Sequence, residues 1–60
     1  MFNNNLIDLI GKEVEVTASG MLYRGRLIEV SETEVFLQGE MGWIQIMVKD
    51  VTDIKAYEKG

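Results

Sequence analysis

The stretch MLYRGRLIEV, Met21–Val30, alternates as a β-strand does but carries Gly25 at its centre, with Arg24 and Arg26 on either side. A glycine inside a strand costs backbone entropy and packs nothing, so it marks a sharp bend, a bulge or a close approach of another backbone. A long strand bent at its middle can serve two halves of a curved sheet, with the missing side chain keeping the crowded inner corner open. The strand would place Met21, Tyr23, Gly25 and Leu27 on one face and Leu22, Arg24, Arg26 and Ile28 on the other. Its alternation slips near Glu29, which predicts a bulge.

The remaining segments supply partners for such a strand. NNNLIDLIG places Leu6, Ile7, Leu9 and Ile10 at helical spacing between asparagines suited to N-capping and Gly11 as a stop, predicting one short helix over Asn4–Ile10. In EVEVTA, Val14, Val16 and Ala18 alternate with Glu13, Glu15 and Thr17 as a first strand, followed by an Ala-Ser-Gly turn. After the bent second strand, SETE reads as a turn, although Ser31 and Glu34 also have capping-box spacing; the apolar run behind them is too short for a helix. Val35–Gln38 is a third strand, ended by GEMG. WIQIMV, from Trp43 to Val48, is a fourth, with Ile44, Ile46 and Val48 on its inner face. KDVTD reads as a single helical turn and IKAY, Ile54–Tyr57, as a fifth strand with Ile54 and Ala56 inward. No linker, repeat, low-complexity run or proline interrupts this order, so residues 1–60 are expected to form a single domain. The expected fold is all-β with one short N-terminal helix: a small five-stranded, strongly bent barrel, because a flat sheet this small would leave an apolar face and both edges wet.

Length then bears on stability. A chain of 60 residues buries only ~60% of the surface its unfolded form exposes. The usual supplements are disulfides, metals or self-association. The sequence contains no cysteine and no histidine, which removes disulfides and nearly all zinc chemistry and leaves self-association. Apolar residues make up 47% of the chain, generous for so small an interior, and favour an oligomer.

Catalysis is not expected. Without histidine or cysteine the inventory reduces to carboxylates, lysines, tyrosines and hydroxyls. The pairs Glu13/Glu15 and Asp50/Asp53 fit a solvated strand face and a turn better than an acid–base site, and GEMG lacks the lysine and following helix of a phosphate-binding loop. No cofactor is expected. Ten acidic against six basic side chains give a net charge of -4, which repels nucleic acid and anionic membranes unless the cations are gathered in one place. No segment is apolar for long enough to span a membrane and none reads as a secretory signal, so the expected location is cytoplasmic, with no membrane partner.

The pattern resembles the Sm-like (LSm, Hfq-like) family of small β-barrels. The residues that carry the resemblance are GKEVEVTASGMLYRGRLIEV, with Gly20, Gly25, Leu27 and Val30 spaced as in the first motif of that family, then VFL and IMVKDVTDI at the second. Other SH3-like barrels can produce much of the same pattern. The resemblance implies a non-enzymatic homo-oligomeric ring of about five to seven copies, closed by pairing strand four of one copy with strand five of the next, and a binding scaffold with RNA as one candidate ligand. The alternative is an SH3-like protein-interaction barrel with no nucleic-acid activity.

The resemblance also implies RNA contacts in the loop after strand two and the loop after strand four. Here these fall on Ser31–Glu34, which offers no stacking ring and two carboxylates, and on Lys49 and Asp50, where a single cation is offset by its neighbour. Candidate nucleic-acid-binding residues are therefore Arg24, Arg26 and Lys49, with cross-strand pairing of the arginines to Glu13 and Glu15 as the competing use. Phe36, Trp43, Met47 and Tyr57 are candidate subunit-interface residues, with Met41 as further filler.

Overall fold

β-Branched and apolar residues at every second position build five strands, seen in a computed structural model that describes residues 4–57. They are β1 (Glu13–Ala18), β2 (Met21–Val30), β3 (Glu34–Gly39), β4 (Gly42–Met47) and β5 (Val51–Ala56). All are antiparallel in one sheet of order β4-β3-β2-β1-β5. Ser19 and Gly20, both at positive φ (52° and 79°), turn β1 into β2, the backbone form that matches the twist of a tight hairpin.

β2 belongs to two ladders. Its first half, Met21–Arg26, pairs with Ala18–Glu13 of β1, and its second half, Arg26–Val30, pairs with Gln38–Val35 of β3. The β2–β3 register shifts between Leu27 and Glu29, so the bulge lies where the broken alternation predicts it. Gly25 sits just before the handover and is buried. A Cβ on it would lie 2.8 Å from the carbonyl oxygen of Gln38, 3.1 Å from that residue's carbonyl carbon and 3.3 Å from the amide nitrogen of Gly39. These are backbone atoms of β3, so the crowding comes from the adjoining strand, which has no side-chain rotamer with which to give way. The φ of Gly25 is not left-handed; the residue is required for space.

The core forms on one face of the bent sheet. Val14, Val16, Ala18, Leu27, Val35, Leu37 and Ile46 are buried, each on the inward-facing row of its strand, with Leu27 opposite Leu37. Leu9, Tyr23, Val30, Ile44, Val48, Val51 and Ile54 pack around them. The N-terminal helix is a 3-10 helix over Asn4–Leu9. Leu6 and Leu9, three apart and hence aligned in a helix of three residues per turn, are its half-buried positions, whereas Ile7 and Ile10 face solvent. The capping expected of the asparagines rests on side chains outside the described ones.

Three expectations change at the C-terminal end. The helical turn is a 3-10 turn over Val48–Asp50, one residue earlier than expected, and it shortens β4 to Met47. β5 begins at Val51 instead of Ile54. Val51 pairs with Ala18, Asp53 with Thr17, and the intervening Thr52 bulges out and donates its hydroxyl to the Thr17 carbonyl at 3.2 Å. Ala56, expected inward, is exposed, because β5 is the last strand of the sheet and the inner row at its far end has no cover. The sheet is not closed: β4 and β5 are its two ends, and no ladder joins them among the described residues.

Gly25→Ala is expected to destabilise the fold by about 1–3 kcal/mol through overpacking against the β3 backbone, read as a fall in the urea midpoint with unchanged m. An unaltered midpoint would place the close approach elsewhere.

Candidate functional site

Alternation sends the polar residues of β1, β2 and β3 and the aromatic of β4 to the outer face, where register sets them in rows. One row runs Lys55–Glu15–Arg24 across β5, β1 and β2. The next runs Glu13–Arg26–Gln38–Trp43 across β1 to β4. The two arginines, adjacent in these rows, have different surroundings. Arg24 Nε donates to Glu15 Oε2 at 2.9 Å, and its guanidinium carbon lies 4.3 Å from the centre of the Tyr57 ring. Lys55 Nζ approaches the other Glu15 oxygen at 3.9 Å. Glu15 is the least exposed member, at 14% of its side chain. Arg26 is exposed, and although Glu13 is its partner in register, it forms no ion pair among the described residues.

An open groove of about 910 Å³ lies over both arginines and is bordered by Glu13, Glu40, Trp43 and Tyr57. Its two cations are matched by two carboxylates, so the lining carries no net positive charge by residue type. Lys49 is not part of it. That residue lies in the turn before β5, beside the β2–β3 loop, because the Val48 amide donates to the Thr33 carbonyl at 2.9 Å. The two loops that the Sm-like resemblance singles out are thus neighbours, but they combine Lys49 with Glu32, Glu34 and Asp50. Glu34 is also engaged by the Gln45 side-chain amide at 2.7 Å.

The Ser31–Glu34 loop is held by its own serine. Ser31 Oγ accepts the amides of Thr33 at 3.2 Å and Glu34 at 3.0 Å, and the Ser31 amide donates to the Glu34 carbonyl at 2.8 Å. Half of a capping box is present, but the reciprocal bond goes to a carbonyl and closes a hairpin, so the turn reading describes this segment.

Of the apolar candidates, Trp43 (67% exposed) and Met47 stand outward on β4, with Met41 fully exposed on the turn before it. Phe36 is half-buried in β3 opposite Gln45, and Tyr57 is half-buried beneath Arg24. Trp43 and Tyr57 both border the groove, whereas Phe36 and Met47 do not. Pattern reading missed the Arg24–Tyr57 stack. The contact depends on β5 pairing with β1, a long-range choice that no local signal reveals.

Among the described residues no group of three or more carboxylates is placed to hold a metal ion, and no helix is long and apolar enough to cross a membrane. Comparison with known proteins found no matching family model, no matching curated protein and no matching solved structure. What the fold and surface define is therefore a class: a small, open, antiparallel β-sheet domain with an acidic balance, in which no strand among the described residues pairs beyond β4 or β5.

Ser31→Ala removes an acceptor for two amides and is expected to cost about 1 kcal/mol in urea unfolding, with hydrogen exchange accelerated at Thr33 and Glu34. Unchanged exchange at both amides would show that the turn does not depend on the serine.

Proposed function

We propose that this chain is a non-enzymatic Sm-like barrel that assembles with copies of itself by pairing the β4 edge of one copy with the β5 edge of the next, and that the assembly serves as a binding scaffold. The observation that carries this reading is that β4 and β5, at opposite ends of a five-stranded sheet, have no further strand paired to them among the described residues. An exposed strand edge offers a row of unpaired backbone donors and acceptors, and proteins that remain monomeric protect such edges with charge, proline or a cover. β4 is poorly protected: Gln45 is the polar residue between the outward Trp43 and Met47, and Met41 precedes them. Joining unlike edges is head-to-tail, which closes into a ring when the rotation between copies permits. The Sm-like resemblance supports that closure and about five to seven copies.

Charge argues against RNA as a tightly held ligand. Each copy adds -4 to the assembly. Arg24 is paired, while Arg26 and Lys49 lie in different places. Phosphate contacts from Arg26 alone give weak binding that falls with salt. The second reading, an SH3-like barrel that adds its edge to a different protein, is favoured by the same exposed Trp43 and differs in what covers it.

Size exclusion with light scattering at micromolar concentration is expected to show a closed oligomer, and a clean 6.8 kDa monomer would overturn self-assembly in favour of the protein-interaction reading. Trp43 is the one tryptophan, so acrylamide quenching should fall as the concentration rises through the assembly range. In fluorescence anisotropy, labelled A-rich and U-rich oligonucleotides are expected to bind weakly at ~50 mM salt and to be released at ~200 mM. Tight, salt-insensitive binding would contradict the electrostatic reasoning.

A further inference from the structure

We propose that Arg24 is a positioning residue for the assembly edge: by pairing with Glu15 and stacking on Tyr57 it clamps the C-terminal end of β5 against β1 and β2, and so presets the strand to which the next copy binds. The proposal rests on the reading of β5 as an assembly edge. β5 has one strand neighbour, and its ladder to β1 is interrupted at Thr52. Val51 and Ile54 pack against the core, but Lys55 and Ala56 at its far end are exposed, so that end has no apolar anchor beyond Ile54. An end strand that frays must be ordered again each time a partner pairs with it, which weakens association.

The outer-face cluster acts on that end. Arg24 starts on β2 and its guanidinium meets the ring of Tyr57, just past β5, so the two side chains together bridge over β1, across two strand spacings of about 10 Å. A planar guanidinium can donate an N–H to a carboxylate at its edge while its face rests on an aromatic ring, which a lysine ammonium does not do. Glu15, on the strand between, takes Arg24 from one side and Lys55 from the other. The Tyr57 amide also donates to the Glu13 carbonyl at 2.9 Å, carrying the ladder one residue past β5 to the stacked ring. Arg26 has the same charge and lies one row away, without an ion pair among the described residues and without a ring contact, which makes it the internal control.

The test measures hydrogen exchange along the full chain together with the concentration at half-assembly. Arg24→Ala and Tyr57→Ala should each speed exchange of the Val51–Ala56 amides about fivefold, leave the β3 amides unchanged, and raise the half-assembly concentration by a similar factor. Tyr57→Phe keeps the ring and should match the wild type, as should Arg26→Ala, while Arg24→Lys should fall between. Equal acceleration in β3 and β5 would reduce Arg24 to general stability, and unchanged β5 exchange in both alanine variants would remove the clamp. A wild type that stays monomeric overturns the assembly reading by itself, and the exchange pattern still decides whether Arg24 orders β5.

Discussion

The approach of the β3 backbone to Gly25 is the constraint on which the other features depend. Gly25 has no Cβ, which would lie only 2.8 Å from the Gln38 carbonyl oxygen, so β3 can approach where β2 passes from its β1 ladder to its β3 ladder. Two otherwise separate units, the β5–β1 side and the β3–β4 hairpin, become one sheet through that handover. The core follows from it. Val14 is the register partner of Gly25, and Leu27 and Leu37 meet just beyond the bend, so the inward rows of both sides converge on one apolar cluster. The outer face follows as well, since the same handover sets Arg26 between Glu13 on one side and Gln38 on the other.

Much of this was legible in the sequence where the signal is local. Period-two alternation located β1 to its observed ends, the slip at Glu29 located the bulge, and the glycine between two arginines located the handover. The β4–β5 connection was less legible. Val48 continues the inner row of β4 by pattern, yet its amide donates to the Thr33 carbonyl and its own carbonyl accepts the Val51 amide, which starts a 3-10 turn one residue early. Thr52 then leaves the ladder, which let β5 begin at Val51 even though the strand's alternation is visible only from Ile54 onward. Tertiary hydrogen bonds overrode local pattern there, and nothing in KDVTD announces them. The helix differed in the same way. A spacing of three between Leu6 and Leu9 fits a 3-10 helix as well as an α-helix, and six residues are too few to repay the nucleation of a longer one.

At the candidate site, the sequence identified the charged groups but not their assignment. Cross-strand pairing to β1 was foreseeable for both arginines from alternation. Among the described residues Arg24 makes the ion pair and Arg26 does not, and the other members of the Arg24 cluster, Tyr57 and Lys55, reach it through β5, which lies on the far side of β1 from the arginines. A three-strand cluster of this kind is invisible until strand order is known. Sequence reading therefore lists chemistry correctly before it can distribute it.

Distribution of charge, more than its total, bears on what such a surface can recognise. Arg24 is ion-paired with Glu15 and Lys49 is flanked by carboxylates, so among the described residues both cations are offset by acidic neighbours, in a chain whose net charge is -4. The edges differ in kind. In the proposed assembly, recognition at the edges would run through backbone donors and acceptors whose strength does not depend on the sign of the nearby side chains, and through apolar side chains that gain by leaving water. Copies of one acidic chain repel at long range, but that repulsion is screened within a Debye length of about 8 Å at physiological ionic strength, whereas strand pairing acts at contact. In the proposed assembly the outward Trp43 beside the β4 edge favours partners met through strand addition, and the net charge of -4 works against electrostatic attraction to a polyanion.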